Sequence, residues 1–334
     1  MMNNTAQDIL KKHAKSFYFA GLLLDKKTLN DAAILYAFCR QLDDAADEEN
    51  QQTKLNGLIA DYKKEAPEDL INKEFKKLQR AYQLNQKFID DLITGVSSDI
   101  NFKQPKNLSE LIKYSYQVAG TVGGLMAKIL GASDHNAWKF AIDLGIGMQI
   151  TNISRDIKED AQNGRVYIPE DMLPNNFKLT DITNGSNDGL NFNLTKRLLE
   201  IAETYYQSGF EGIYYIPKKN KFSILIAGVL YNSIGKKIIK NKTLFLKQRI
   251  YLNTFEKLLI LIANVFTKYK SKEPVHLDRL DYAISRYYKH VNDIMFYKHT
   301  MKSAKDYNVV ISTGARLQES IYALKETKEN LILF

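Results

Sequence analysis

Apolar residues recur every three or four positions along most of the chain, whereas strict two-residue alternation is scarce. Residues three or four apart share one face of a helix, so this pattern is typical of amphipathic helices packed on a core. It predicts helices over residues 28–47, 75–95, 111–130, 135–160, 194–214, 221–239 and 251–269, with breaks at 101–107, at 173–193 and near Pro217 and Pro274. The predicted fold class is all-α.

The breaks are too short to act as linkers between domains, and the chain shows no internal repeat. We therefore expect one helical domain over residues 1–270. Residues 271–334 also look helical, and we expect an additional C-terminal helical segment that docks on the same domain. Within that segment, residues 309–325 form a candidate amphipathic helix, for which a membrane or a partner enzyme is the alternative docking surface.

Composition adds a net charge of +9 and a single cysteine, Cys39, which cannot form an intrachain disulfide. The lysines are scattered and do not interleave with aromatic residues as in a nucleic-acid site, so no nucleic acid is expected as a partner. We interpret the positive charge as a solvated basic surface, with diphosphate substrates or anionic lipid as the alternatives.

The first residues lack the basic and then apolar layout of a secretory signal. The longest apolar stretches, 222–230 and 258–266, are shorter than the roughly 20 residues that a membrane-spanning helix needs. Together with the lone cysteine, these features predict a cytoplasmic protein. Peripheral contact with the inner face of the membrane stays open as an alternative.

Charged residues interrupt the apolar pattern of the first long helix. Tyr36, Arg40, Asp43 and Asp47 fall within about 60° of one another at 3.6 residues per turn. Like charges one turn apart repel, and Mg²⁺ between Asp43 and Asp47 would remove that repulsion. Arg40 offers a forked donor that suits a diphosphate. For this motif alone, an acidic and solvated helix end is an equally good interpretation.

A second predicted helix repeats the arrangement. Gln149, Asn152, Asp156 and Asp160 share a face that spans about 80°, and Arg155 flanks it. Buried amides and carboxylates need partners, which a hydrated metal and a phosphate would provide. A polar face saturated by internal salt bridges is the alternative, and two such faces in one chain make it the weaker one.

A turn follows the second polar face. Asn163-Gly164 is a turn signal, and it would return Arg165 and Tyr167 toward the end of the helix. The two helices and this loop therefore predict a diphosphate held by magnesium between two carboxylate faces.

These residues resemble the squalene/phytoene synthase family, the head-to-head prenyl transferases. The segments that carry the resemblance are residues 15–19, 36–47, 116–123, 149–160 and 164–169, and the likeness extends over about residues 8–265. One departure is that lysines follow Ile216-Pro217, where members often have an arginine. Lys218, Lys219 or Lys221 is expected to take its place, without the bidentate fork.

The resemblance implies a single-domain class I isoprenoid synthase, a helical bundle around a central cavity. The catalytic residues that it implies are Asp43, Asp47, Asp156, Asp160, Tyr36 and Arg40, and the metal ligands are Asp43, Asp47, Asn152, Asp156 and Asp160. The implied substrate-binding residues are Ser16, Phe17, Arg40, Tyr116, Gln149, Asn152, Arg155, Arg165, Tyr167 and Tyr231. The expected metal is Mg²⁺, with Mn²⁺ as the substitute.

The implied reaction joins two prenyl diphosphates head to head through a cyclopropylcarbinyl diphosphate. We expect the chain to be most like a bacterial phytoene synthase, which converts two geranylgeranyl diphosphates to phytoene in carotenoid biosynthesis. The alternative substrate is farnesyl diphosphate, which gives dehydrosqualene or squalene, and NADPH is needed only for squalene. The next enzyme of the pathway is a candidate partner.

Two other interpretations stay open at this point. Head-to-tail prenyl elongases and terpene cyclases also use Asp-rich helices with magnesium, but residues 116–123 and 165–169 favour the head-to-head family. A non-catalytic relative, acting as an assembly factor or a lipid-binding protein, is the alternative of another class. Such a protein has no need for all four aspartates, and the chain retains them.

Overall fold

A computed structural model describes residues 6–47, 51–134, 137–184 and 187–266. In these ranges the chain forms the helices α1 (Ala6–His13), α2 (Lys15–Gly21), α3 (Lys26–Asp47), α4 (Gln51–Lys63), α5 (Leu70–Tyr82), α6 (Gln86–Ser98), α7 (Leu108–Ser115), α8 (Thr121–Ile129), α9 (Ala137–Gln162), α10 (Leu179–Thr183), α11 (Asp188–Glu211), α12 (Lys218–Lys240), α13 (Lys242–Lys247) and α14 (Thr254–Phe266). The described ranges contain no strand, which confirms the all-α prediction.

The predicted helix over residues 75–95 is wrong, because two helices occupy that range. α5 ends at Tyr82, and Gln83 adopts a left-handed backbone with a φ of 50°. The backbone N–H of Leu84 then donates to the carbonyl of Gln79, which satisfies the end of the helix as in a Schellman motif. Asn85 caps α6 by accepting a hydrogen bond from the N–H of Lys87.

The other predicted helices are present with shifted ends. Those over 28–47 and 221–239 correspond to α3 and α12, and the one over 251–269 begins at Thr254 and is described as far as Phe266. The sequence did not predict α1, α2, α4, α10 or α13, and α10 lies within the predicted break at 173–193. The predicted C-terminal segment, residues 271–334, lies outside the described residues.

α7 and α8 run on through a π-helical turn, Tyr116–Gly120, where the sequence predicted one uninterrupted α-helix. Two close backbone approaches hold this stretch against α9. A Cβ on Gly123 would lie 2.1 Å from the carbonyl oxygen of Ala141, and one on Gly145 would lie 2.3 Å from that of Ala119. These glycines therefore let α8 and the π-helical turn pack directly on the backbone of α9.

α9 is the central helix, and α8, α11 and α12 pack around it. α3 packs against α1, α4, α5 and α8 on another side. Among the described residues, only α12 is long and apolar enough to cross a membrane on length and composition. More than half of its most apolar stretch is buried, and it packs against α2, α9 and α14, as a core helix does.

Candidate active site

One elongated cavity of about 880 Å³ opens between α2, α3, α8, α9 and α12. The residues of α9 that line it extend from Ala137 to Asp160, about 35 Å at 1.5 Å per residue. Residues near Ala137 are apolar, and polar residues begin at Gln149. α3 shows the same order, from Leu29 to the acidic end at Asp47. The cavity thus has one charged end and a long apolar remainder.

α3 brings its predicted site residues to the charged end, where Tyr36, Arg40, Asp43 and Asp47 all line the cavity. Nη1 of Arg40 lies 3.3 Å from Oδ2 of Asp43, and the same guanidinium also pairs with Asp44. Burial raises the pKa of Asp43 to about 6, and the neighbouring carboxylates add to the effect while Arg40 opposes it. Asp43 is therefore a carboxylate at the cavity mouth, 53% exposed, whose negative charge Arg40 offsets only in part.

α9 contributes Gln149, Asn152, Asp156 and Asp160 to the same end of the cavity. Arg155 forms a two-pronged pair with Asp156, with N–O distances of 2.8 and 2.6 Å. Asp160 has no such partner, and burial together with Asp156 raises its pKa to about 7. The Oδ1 oxygen of Asn152 is buried without a hydrogen-bond partner.

The loop after α9 joins the two carboxylate helices. Gly164 has a φ of 75°, and the backbone N–H of Arg165 donates back to the carbonyl of Asp160 at 2.9 Å. Nη1 of Arg165 then reaches Oδ1 of Asp47 on α3 at 2.7 Å. This geometry confirms the turn predicted from Asn163-Gly164, and it places the acidic ends of α3 and α9 side by side.

A fifth aspartate, Asp99, follows α6 and also lines the cavity. Its two oxygens accept hydrogen bonds from the hydroxyls of Tyr114 and Tyr167, each at 2.9 Å. The two tyrosine rings stack with their centroids 5.0 Å apart. Burial raises the pKa of Asp99, which these hydrogen bonds and Arg165 oppose. Asp99 thus fixes two tyrosine side chains at the charged end.

The wall next to the charged end is aromatic. Phe17 on α2 stacks on Tyr231 of α12, with ring centroids 4.7 Å apart, and both line the cavity together with Ser16 and Tyr36. Burial raises the pKa values of Tyr36 and Tyr231, so both phenols stay neutral at ordinary pH. The predicted N-terminal segment therefore does reach the site.

Tyr116 is the exception among the predicted site residues. Its side chain is buried away from the cavity, and its hydroxyl donates to Asp91 of α6 at 2.9 Å. Tyr114, two residues earlier on α7, lines the cavity instead. The structure thus contradicts the expectation that Tyr116 faces the substrate, and it places Tyr114 in the cavity lining.

The lysines expected to replace the missing arginine also lie elsewhere. Lys219 is paired with Asp25 at 3.6 Å, and Lys221 lies over the ring of Tyr214, whereas Lys218 is at the start of α12 outside the cavity lining. These side chains do not reach the charged end of the cavity, because α12 begins near the apolar remainder of the cavity.

Arg249 supplies a further guanidinium at the charged end. It lies in the loop between α13 and α14, and its Nε is 2.9 Å from Oδ1 of Asp156. Lys158 of α9 donates to the carbonyl of Leu246 at 2.6 Å, in the last turn of α13 just before this loop. The 93 residues that separate Arg249 from Asp156 leave no local signal in the sequence. The sequence likewise carries no local signal for Asp99, because a single acidic residue after a helix is common.

The acidic groups fit divalent cations that are shared with a phosphate ligand. In the part of the chain that the structure describes, no cluster of three His, Cys, Asp or Glu side chains is arranged to hold an ion alone. Mg²⁺ is commonly held by one or two carboxylates, with waters and phosphate oxygens completing its shell. The free Oδ1 of Asn152 and the weakly compensated Asp43 and Asp160 offer such ligands.

Comparison with known sequences gives a consistent family. The sequence profile of squalene/phytoene synthases matches residues 10–256, close to the range of the resemblance noted above. A 15-cis-phytoene synthase of Enterobacter agglomerans is 31% identical over 266 residues, which cover 75% of this chain and 90% of that protein. One from a Paracoccus species is 32% identical over 260 residues, covering 74% and 85%.

Solved structures with a similar fold include a dehydrosqualene synthase in complex with a ligand. It superposes with a TM-score of 0.67 at 26% sequence identity, over 77% of this chain and 93% of that one.

Proposed function

Because the chain belongs to the squalene/phytoene synthase family and is a prenyltransferase, we propose that it joins two geranylgeranyl diphosphates head to head into phytoene. The observation that carries the proposal is a single cavity in which two carboxylate helices meet at one end and apolar walls form the rest. Relatives named 15-cis-phytoene synthase support the twenty-carbon substrate.

The diphosphate groups of the substrates would bind at the charged end of the cavity. Members of the family bind diphosphate with a divalent metal, and we propose Mg²⁺, with Mn²⁺ as its substitute. Asp43, Asp47, Asn152, Asp156 and Asp160 would hold it, and when bound it neutralises charge on the leaving diphosphate. Guanidinium groups complete the site.

Four arginines line this end of the cavity: Arg40, Arg155, Arg165 and Arg249. Each is paired with a carboxylate in the structure. Guanidinium groups also bind phosphate oxygens in a bidentate manner. We therefore expect the arginines to exchange part of their carboxylate contacts for diphosphate contacts when substrate enters.

The first half of the reaction forms a cyclopropane. The C–O bond of one substrate breaks, diphosphate leaves, and an allylic cation remains. The double bond of the second substrate attacks this cation, and loss of one proton closes the three-membered ring of a cyclopropylcarbinyl diphosphate. The apolar remainder of the cavity excludes water, which would otherwise capture the cation.

The second half opens that ring. Departure of the second diphosphate gives a cyclopropylcarbinyl cation, which rearranges and loses a proton to give the linear hydrocarbon. The rings of Tyr36, Tyr231 and Phe17 line the cavity next to the charged end, and aromatic rings stabilise cations. Proton loss needs no reductant, so NADPH has a place only if the product is squalene.

Location and partners follow from the apolar product. We propose that the protein works in the cytoplasm, in peripheral contact with the inner face of the membrane, where a hydrocarbon without a charged group can dissolve. The next enzyme of the pathway is a further proposed partner, because it must take up this insoluble product.

Product analysis tests the proposed function. Purified full-length protein with Mg²⁺ is offered geranylgeranyl diphosphate or farnesyl diphosphate, each with and without NADPH. We expect a forty-carbon hydrocarbon from the longer substrate, independent of NADPH.

A thirty-carbon product from farnesyl diphosphate alone would instead assign the chain to dehydrosqualene formation, or to squalene formation if NADPH is required. An elongated diphosphate or a cyclic hydrocarbon would point to the rival enzymes. Absence of any product from a folded protein would favour the non-catalytic relative.

A further inference from the structure

α14 is apolar on both of its faces. Ile260 and Leu261 pack against the hydrophobic core. On the opposite side, Phe255, Leu258, Leu259 and Ile262 are 67%, 45%, 50% and 45% exposed. These four side chains span about 100° of the helix surface. Helices with apolar residues all around are normally buried on every side, so the exposed side calls for a covering surface.

Tyr251 extends this exposed side toward the cavity. It is 67% exposed, and it lines the cavity together with its neighbours Ile250 and Leu252. Lys257, on the first turns of α14, also lines the cavity. We use the term docking face for Tyr251, Phe255, Leu258, Leu259 and Ile262. The docking face therefore borders the cavity itself.

The segment that leads to the docking face is basic. Lys240, Lys242 and Lys247 are exposed in this segment, Lys236 is paired with Glu203 at 3.9 Å, and no acidic side chain between residues 236 and 264 is exposed. The one carboxylate there, Glu256, is bound by Lys237 at 2.6 Å. An exposed apolar face that follows a lysine-rich segment matches a bilayer surface, which is apolar inside and anionic at its headgroups.

We propose that the docking face binds the surface of a bilayer that contains anionic lipids. The apolar side chains would enter the boundary between headgroups and acyl chains, and Lys240, Lys242 and Lys247 would contact the headgroups. The proposal rests on the proposed function, since an apolar product made in this cavity needs an apolar destination. The docking face would put the edge of the cavity against that destination.

Co-flotation of the full-length protein with vesicles tests this proposal. The vesicles contain phosphatidylcholine alone or phosphatidylcholine with phosphatidylglycerol. We expect binding to the anionic vesicles that weakens with added salt, because salt screens the lysine contribution. The double variant Leu258→Glu/Ile262→Glu should bind at least tenfold less.

A matched control uses the same substitution elsewhere. Leu70 and Leu179 are 54% and 43% exposed on α5 and α10, away from the docking face. The variant Leu70→Glu/Leu179→Glu adds the same negative charge and should bind vesicles as the wild type does. Lys240→Glu/Lys247→Glu should reduce binding to anionic vesicles and leave the small binding to neutral ones unchanged.

Three results would overturn the proposal: a wild type that ignores anionic vesicles, a docking-face variant that binds like the wild type, or a docking-face variant with altered assembly. In the last case, a lower Tm with faster proteolysis of residues 267–334 would identify the chain's own C-terminal part as the cover. Loss of a dimer in gel filtration would identify a second copy. Activity on detergent-dispersed substrate should stay normal in the variant, which separates this test from that of the proposed function.

Discussion

Asp43 and Asp160 are held in the cavity with too little positive charge beside them. Burial raises their pKa values to about 6 and about 7, although Arg40 and Arg165 oppose the shifts. Both carboxylates also lie near the C-terminal ends of long helices, where the helix dipole favours cations over anions. The folded protein therefore carries unfavourable negative charge, which a divalent cation would relieve when it binds.

Replacing either carboxylate tests its role. We expect Asp43→Asn and Asp160→Asn each to reduce turnover at least 10²-fold, because a neutral amide binds a divalent cation poorly. Steady-state product formation with Mg²⁺ measures the loss, and circular dichroism checks the fold. Asp44→Asn is the matched control, since Asp44 does not line the cavity. It should retain activity within a few-fold, and near-normal activity of Asp43→Asn would refute the metal assignment.

Stability without metal should depend on pH through the same two groups. Their pKa values lie above the usual 3.8 in the folded protein, so between about pH 4 and pH 7 the folded chain binds more protons than the unfolded chain. The free energy of unfolding must then fall as the pH rises through this window. One pKa unit corresponds to about 1.4 kcal/mol, and with solvent screening we expect a loss on the order of 1–3 kcal/mol.

Urea unfolding in EDTA at pH 5 and pH 8 measures this effect. The double variant Asp43→Asn/Asp160→Asn should lose less stability over this interval and should be more stable than the wild type at pH 8. An equal pH dependence in the two proteins would show that these carboxylates are not strained in the metal-free state. Added Mg²⁺ should stabilise only the wild type.

Sequence reasoning found the charged residues but misassigned one tyrosine. The acidic and amide side chains stood out because they interrupt apolar helices at helical spacing, and the structure brings them to one cavity. Tyr116 was selected by its place in a motif. The motif does not fix the direction of its side chain, which donates to Asp91 of α6, and Tyr114 lines the cavity instead.

At the scale of elements, long amphipathic helices were predictable and their interruptions less so. The spacing of apolar residues is uniform across α5 and α6, and the break follows from a left-handed residue, Gln83, that is not glycine. Such a residue rarely signals a helix end. Close contacts between helices could not be predicted either. The sequence shows a glycine in a helix but does not show whether a neighbouring helix lies against it.

Two glycines in helices should therefore respond in opposite ways to alanine. Gly123→Ala should destabilise the protein by roughly 1–3 kcal/mol or more, since its Cβ would meet the carbonyl of Ala141 at 2.1 Å and push α8 from α9. Gly57 in α4 has no atom within 4 Å of an added Cβ. Gly57→Ala should stabilise by roughly 0.5–1 kcal/mol. Thermal unfolding compares them, and similar effects would contradict the close packing.

For the whole molecule, the cavity is assembled from residues far apart in the sequence. Arg249 meets Asp156 across 93 residues, and Arg165 reaches Asp47 across 118. Helical periodicity carries no information about such pairs. Helical periodicity also does not predict the length of the apolar remainder of the cavity, because this length depends on how α2, α8, α9 and α12 pack. The preferred chain length of the substrate is therefore a property of the packed bundle.

A substitution at Ala141 tests how the cavity sets the preferred chain length of the substrate. It lies on α9 about 28 Å from Asp160 along the helix axis, and its side chain lines the apolar remainder of the cavity. A phenylalanine there would fill space that the last isoprene unit of a twenty-carbon chain needs, whereas a fifteen-carbon chain ends earlier. Ala141→Phe should lower kcat/KM for geranylgeranyl diphosphate about tenfold, the effect of ~1.4 kcal/mol.

With farnesyl diphosphate, kcat/KM of Ala141→Phe should change less than threefold, and the ratio of thirty-carbon to forty-carbon product should rise. Ala81→Phe is the matched control, because Ala81 is exposed on α5 and distant from the cavity lining. It should leave both substrates unaffected. An equal loss for the two substrates would mean that the substitution disturbs the charged end through α9. An unchanged preference would mean that the chains do not extend as far as Ala141.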